Sequence, residues 1–433
     1  MVLWSALMRY YSRHMGVRLS ETLDSARVVV LHGARQSGKT TLARALASDR
    51  GGTYLTLDDD QVLDAALADP HTFVRAYPYP LVVDEIQVAG GRLVRALKMA
   101  VDSDPSRGRY VITGSTNFLT VPTISESLAG RAAILQLSPL SQAEIAGIAL
   151  SVGPGGVPGV IGRWFESQFG GATPSQTSRD GYLEKVCAGG YPEVIGLEPL
   201  PRIRWFESYM DTVLGRDIVA LGDIRRASLL SRLLRLASAS TATEINITKW
   251  AQRLGADRAT VESYLGWLRT VFLVRYLPSW TRNRAARVIR RPKLHLTDSG
   301  LAAALVGIDA DALRPPTATG TGPLLETFVV NEIGRQVGAG IRRVTPHHYR
   351  DNAGREVDLV LERSDSAVVA IEVKATASPR GADLRHIAAL RDHLDRTEPG
   401  AFRAGVLLHM GSNSLSFGDR LHSAPIDVLW RDP

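Results

Sequence analysis

The octet Gly33-Ala34-Arg35-Gln36-Ser37-Gly38-Lys39-Thr40, with Thr41 after it, limits what this chain can fold into more than any other feature. It fits G-x-x-x-x-G-K-[ST]. An apolar run, Val28-Val29-Val30-Leu31, leads into it, and good helix formers follow from Thr41 to Leu46. Strand, glycine loop and helix form the setting in which backbone N–H groups turn inward on phosphates and a helix N-terminus adds its positive end. Lys39 is expected to reach the β- and γ-phosphates and the Thr40 hydroxyl to ligate Mg²⁺, so ATP and Mg²⁺ are the expected ligands. Read as an ordinary glycine turn at a helix start, the octet leaves its lysine unexplained.

Short apolar runs at Val28–Leu31, Tyr54–Leu57, Leu81–Asp84, Tyr110–Thr113 and Ala132–Leu137 alternate with helical stretches. That alternation predicts an α/β unit with a largely parallel sheet. The third run ends in Asp84-Glu85. Beside a phosphate loop, Asp84 is expected to hold Mg²⁺ and Glu85 to orient the attacking water, because phosphoryl transfer is mainly positioning and charge neutralisation. Ser115, or Asn117, is placed to sense the γ-phosphate. Arg131 is a candidate transition-state arginine, acting in cis or across a subunit boundary, or else a cation at a helix C-terminus.

The chain has 433 residues, 45% hydrophobic and 22% charged, enough for two to four domains. No apolar run is long enough for a membrane span and no secretory leader is legible, so a cytoplasmic protein without membrane partners is expected. Cys187 is the single cysteine, which excludes an internal disulfide or a multi-cysteine zinc site. The formal charge of +7 is compatible with a polyanionic partner such as DNA or RNA. Basic residues are overwhelmingly Arg. The lysines are residues 39, 98, 185, 249, 293 and 374, so a lysine inside a motif carries extra weight.

Gly- and Pro-rich breaks at 153–159 and 170–174 separate helical segments near Gln142–Leu150, Arg163–Phe169 and Tyr182–Cys187, and amphipathic helices run from Arg202 to Leu236. Ile247–Leu254 and Arg258–Thr270 read as two helices around Gly255, with Asp257 as N-cap. That unit fits a helix-turn-helix flanked by wings at Val271–Pro278 and Lys293–Thr297, or a packing module. Arg282, Arg284, Arg287, Arg290, Arg291 and Lys293 form a basic run suited to a phosphate backbone or to solvent.

Glu356-Val357-Asp358 and Ile371-Glu372-Val373-Lys374 alternate with period two around the polar turn Arg363–Ala367. A hairpin centred on Asp365 sets Asp358 opposite Glu372 and Glu356 opposite Lys374, with opposed residues about 5 Å apart. Paired carboxylates repel unless a cation or proton lies between them. The D-(x)n-E-x-K spacing therefore predicts Mg²⁺ on Asp358 and Glu372, with Lys374 steadying the hydroxide or scissile phosphate. Glu326 on a preceding helix, Leu324–Ile333, is a further acid, with Glu332 as its rival.

In serial order the chain resembles a bacterial and archaeal family of AAA-like P-loop ATPases with a C-terminal PD-(D/E)xK nuclease-like domain. The matching stretches are the phosphate loop, Val83–Gln87, Thr113–Ser115, Leu128–Arg131 and Leu137–Leu140. Gly189–Glu193, Thr297–Leu301, Glu356–Asp358 and Ile371–Lys374 complete the set. The resemblance implies a P-loop NTPase sheet with a helical lid, a winged-helix-like middle and an α+β restriction-endonuclease-like end. The expected segments are a helical 1–27, the ATPase core 28–140, lid and connector 141–225, middle domain 226–300 and nuclease-like domain 301–433. It also carries over Arg35 and Gln36 as loop residues of the nucleotide site. His32 departs from the small polar residue usual there.

The expected function is an Mg²⁺-dependent ATPase whose nucleotide cycle repositions a C-terminal nucleic-acid-handling domain. The alternatives are a bifunctional ATPase and nuclease, and a non-cutting ATP-switched regulator. A homo-oligomer is expected, since isolated ATPases of this kind usually complete their sites by assembly.

Overall fold

The computed structural model describes residues 10–115, 127–153, 155–169, 174–218 and 227–431. Five strands lie where the apolar runs put them: β1 (Val28–Gly33), β2 (Thr53–Thr56), β3 (Leu81–Asp84), β4 (Tyr110–Gly114) and β5 (Ala132–Leu137). They pair in the order β2-β3-β4-β1-β5, all parallel. β1, β3 and β4 are buried along their whole length, as strands covered by helices on both faces must be. Leu42 and Leu46 of the helix Lys39–Asp49 cover one face, and Leu93, Val94 and Leu97 of the helix Gly90–Ser103 cover the other. The helix Met15–Ser25 seats Met15, Leu19 and Leu23 on the first of these faces.

Helices carry the chain out of this sheet. The helix expected near 142–150 stops at Ala146, because Gly147 turns left-handed at φ 71° and ends it. The one expected at 163–169 lies earlier, at Gly159–Phe165. The helices Arg179–Ala188, Pro199–Thr212 and Ala227–Ala239 follow, the second running into a single π turn at Val213–Asp217.

The middle segment folds as anticipated locally. Ile247–Leu254 ends at Gly255 (φ 63°), and Asp257 accepts from the Thr260 N–H at 2.8 Å to start Arg258–Thr270. The strands β6 (Thr243–Glu244), β7 (Val274–Leu277) and β8 (Lys293–Leu296) form an antiparallel sheet in the order β6-β8-β7 beside them.

The last six strands are β9 (Val344–Arg350), β10 (Glu356–Arg363), β11 (Val368–Lys374), β12 (Phe402–His409), β13 (Leu415–Ser416) and β14 (Leu421–Pro425). Their order is β13-β14-β12-β11-β10-β9, with β11, β12 and β14 parallel and β10 antiparallel to β11. Leu359 pairs with Ile371, the register of the expected hairpin. Ile387, Leu390 and Leu394 of the helix Arg385–Thr397 cover one face. The other joins the helix Thr321–Ala339 in a single core that also includes Leu233, Leu265 and Leu294. The expected boundaries at 225/226 and 300/301 therefore divide segments that share one hydrophobic core.

Candidate functional site

Ligands of parallel α/β sheets bind beyond the C-terminal ends of the strands, and three such ends meet here. Gly33 closes β1, Asp84 closes β3 and Ser115 follows β4. Between β1 and the helix Lys39–Asp49 the loop requires unusual backbone. Gly38 has φ 93°, and Gln36 is left-handed at φ 59°. A Cβ on Gly33 would lie 2.1 Å from the Leu137 carbonyl oxygen, so only glycine lets the loop pass β5. Lys39 is buried and donates to the carbonyls of Gly33 (3.1 Å) and Ala34 (2.9 Å), pinning the ammonium inside its own loop. Burial lowers its pKa to about 8, against the opposing charges of Glu85 and Asp84. Beside it His32 is pushed to about 4 by burial and then by the Lys39 charge, so its imidazole is neutral near neutrality.

Asp84 is buried within a ring of hydroxyls. Thr40 donates to it at 2.8 Å, Tyr54 at 2.6 Å, and Thr113 also donates. Glu85 follows in a left-handed conformation (φ 54°), rare for a residue with a side chain and a mark of local strain. Its N–H donates to Thr113 Oγ1 at 3.3 Å and its carboxylate accepts from Gln87. Ser115 is buried at the same edge, whereas Asn117 lies outside the described residues.

The donor set suits MgATP. A hydroxyl and a carboxylate 2.8 Å apart can share one cation, and Ser37 Oγ is buried with no hydrogen-bond partner in the loop that would receive phosphate. Arg35 and Gln36 belong to the same turn, Arg35 facing Asp217 at 3.3 Å across to the helical segment. Thr41 continues the helix.

Arg131 requires a correction. It precedes β5, whose Ala132 pairs with Val28 at the N-terminal edge of the sheet. The loop follows the opposite edge, five or six strand residues away, or roughly 15–20 Å. Arg131 instead holds Asp102 by two bonds of 2.5 and 3.0 Å. As a transition-state arginine of its own subunit it is excluded.

Arg13 was not foreseen. Its guanidinium donates to the carbonyls of Ser37 and Ser138, both at 2.6 Å, and to Glu144 at 3.1 Å. It thus ties the loop to the chain leaving β5, and nothing in its sequence neighbourhood marks it. The motif residues Gly190 and Asp298 also meet: Asp298 accepts from the Gly190 N–H (2.7 Å) and from Arg335 (3.1 Å).

At the C-terminal sheet Glu326, Glu356, Asp358 and Glu372 converge, but around Lys293, which the sequence reading set in the basic run and which is buried here instead of facing a phosphate backbone or solvent. The buried Lys293 of β8 places its ammonium 2.8 Å from Glu326, 2.6 Å from Glu356 and 3.5 Å from Asp358. Lys374 pairs with Glu372 at 2.7 Å rather than with Glu356. Burial, then the Asp358 charge, raise Glu326 to about 8 and Glu372 to about 7. Burial opposes the charge on Lys293, yet Glu326, Asp358 and Glu356 together hold it above the usual lysine value. Among the described residues, no group of three or more His, Cys, Asp or Glu side chains is arranged to hold a metal ion. Glu332 is not part of the cluster. It is buried, accepts from the Gln142 N–H and from Gln336, both at 2.9 Å, and is thereby corrected as a rival to Glu326. The scarcity of lysine was the signal that could have exposed Lys293.

Among the described residues no helix is long and apolar enough to cross a membrane. Comparison with known families matches residues 25–146 to an AAA domain, so an AAA-type P-loop domain occupies this part of the chain. Residues 179–312 and 321–429 match two domains of unknown function, DUF8612 and DUF4143. The chain is 29% identical over 369 residues to the uncharacterized protein Rv2008c of Mycobacterium tuberculosis, covering 85% of this chain and 74% of that one. The uncharacterized protein Mb2031c of Mycobacterium bovis matches with the same figures. Among solved structures, the Walker-type ATPase PABY2304 of Pyrococcus abyssi is 15% identical with a TM-score of 0.36, over 69% of this chain and 98% of that one. The Thermotoga maritima RuvB Holliday junction branch migration motor is 16% identical with a TM-score of 0.28, over 61% and 89%.

Proposed function

We propose that this chain binds MgATP in the loop Gly33–Thr41 and hydrolyses it, and that the nucleotide cycle acts on the C-terminal segment. The observation that carries the reading is the convergence of Lys39, Thr40, Asp84 and Glu85 at one sheet edge, with Asp84 bonded to Thr40. Lys39 and the loop amides bind the phosphates, Thr40 and Asp84 hold Mg²⁺, and Glu85 orients a water for in-line attack. Mg²⁺ held there would neutralise the charge that develops on the phosphates. Ser115 is the γ-phosphate contact in this reading.

A contiguous path leads from the loop outward. Arg35 faces Asp217, and the Tyr209 hydroxyl donates to the Arg35 carbonyl (3.3 Å). The Tyr209 and Tyr191 hydroxyls are 3.1 Å apart, next to the Gly190–Asp298–Arg335 contact. Arg335 sits on the helix Thr321–Ala339 that bears Glu326. This contiguity supports transmission from the phosphate loop to the C-terminal segment.

For the C-terminal segment we favour a non-cutting role, with the helices Ile247–Leu254 and Arg258–Thr270 and the strands β7 and β8 taken as a winged-helix-like module. The ammonium of Lys293 already neutralises the acids that a nuclease would give to a metal. The test is ATP turnover together with Mg²⁺- or Mn²⁺-dependent cleavage of plasmid and single strands by wild type, Asp358→Ala and Lys374→Ala. Turnover of ATP without cleavage supports this reading, and cleavage lost in both variants transfers the case to the bifunctional enzyme.

A further inference from the structure

A cleft lies where the three sheets meet. It is bounded by the edge strands β5 and β7 and by the C-terminal half of the helix Thr321–Ala339. It consists of two adjoining hollows of about 610 and 560 Å³ that share Gln136, Phe272, Arg275, Tyr276 and Thr297. Five arginines line them, Arg18, Arg269, Arg275, Arg335 and Arg343, and among the described residues no Asp or Glu does.

Two of these arginines are already engaged. Arg335 pairs with Asp298, and Arg269 lies over the Tyr276 ring at 4.3 Å. For Arg18, Arg275 and Arg343 there is no carboxylate partner among the described residues. Arg18 donates to the Gly338 carbonyl, and Arg275 has only a long contact of 3.5 Å to Asn331 Oδ1. Burial, then the like charge of Arg335, lower Arg275 to about 10. Cations gathered this way in a half-buried cleft repel one another unless an anion joins them. The partly buried rings of Trp267 and Tyr276 line the same walls.

We infer that this cleft seats single-stranded nucleic acid, with backbone phosphates on Arg18, Arg275 and Arg343 and bases against Trp267 and Tyr276. Guanidinium groups match phosphate geometry, and every base offers a face to an aromatic ring, so the pairing of charge and rings fits a strand of either sugar. The inference gives the non-cutting C-terminal segment a nucleic-acid partner and rests on that reading, setting the contact at the junction of the sheets instead of on the basic run Arg282–Lys293. Ala34 of the phosphate loop also lines the cleft, which puts strand and nucleotide on two sides of one turn.

The experiment is fluorescence anisotropy of labelled oligo-dT and oligo-U of about twelve nucleotides with the full chain, over a salt series. Wild type, Arg343→Glu, Arg275→Gln and Arg284→Glu are compared, with free dTMP as competitor. Arg343 is exposed, so its reversal tests the cleft even if Arg275→Gln disturbs folding. Expected are salt-dependent binding of one or both strands, about tenfold weaker in Arg343→Glu, and a salt slope reduced by roughly one contact. dTMP at equal nucleotide-unit concentration should compete poorly. Cleft variants that bind like wild type while Arg284→Glu does not would overturn the cleft and leave the nucleic-acid reading standing. No binding by wild type, or equal competition by dTMP, also overturns it, and ATP turnover in the same samples then judges the ATPase reading separately.

Discussion

The ammonium of Lys293 lies 2.8 Å from the carboxylate of Glu326, joining a strand of the middle sheet to the helix that packs beneath the C-terminal sheet. Lys293 is buried and Glu326 largely so, and Glu356 and Asp358 share the same cation. Removing one partner of such a cluster strands the others without compensation. Lys293→Met is therefore expected to cost about 3–5 kcal/mol of unfolding free energy, measured by urea titration. If the variant binds Mn²⁺ where wild type does not, the lysine stands in for a cation. Unchanged stability would mean that the cluster contributes little.

The same cluster sets a pH dependence. Glu326 and Glu372 titrate at about 8 and 7, while the unfolded chain releases those protons near 4.5. The folded state therefore binds more protons through this window, and stability from these two groups is lost as pH rises from about 4.5 to 8. Glu326→Gln, which keeps the hydrogen-bonding shape, should flatten that part of the profile. A profile identical to wild type would contradict the assignment.

Arg13 and Glu144 are both almost fully buried and 3.1 Å apart. Arg13→Met should destabilise the protein by about 3–5 kcal/mol, because Glu144 is left unpaired and the Ser37 and Ser138 carbonyls lose their donor. Nucleotide affinity should fall with it. An Arg13→Met protein as stable as wild type would show the clamp to be dispensable.

Much of this was legible in advance. The five strands of the first sheet and the two helices around Gly255 follow from apolar runs and a glycine whose roles are local, and period two fixed the β10–β11 register. The partners of Arg13, Lys293 and Asp217 were not legible, because each lies far along the chain, and no spacing rule reports which strand edge faces which helix. The cis role of Arg131 conflicts with the fold for the same reason, because only the parallel pairing of β1 with β5 says at which end of the sheet it lies.

Lys39 must be charged to hold phosphate, and in the free protein it titrates at about 8. Phosphate binding raises that pKa, so binding takes up a proton above it. Affinity for MgATP should be level below about pH 8 and fall by up to about tenfold per unit above it. Calorimetry in buffers of different ionisation enthalpy checks this through the proton uptake. A flat affinity up to about pH 10 would place the lysine elsewhere.

Glu85→Gln should retain MgATP binding within a few-fold while turnover falls by about a hundredfold or more, as removal of a water-orienting group does. Steady-state phosphate release on both proteins decides it. Normal turnover would remove Glu85 from its role.

The most direct measurement is equilibrium binding of a labelled adenine nucleotide with Mg²⁺ to wild type and to Lys39→Ala at roughly neutral pH, where the lysine is charged. Saturable binding by wild type, abolished in Lys39→Ala while the fold persists by circular dichroism, is the predicted result. Equal binding by the two proteins, or none by wild type, would contradict the account.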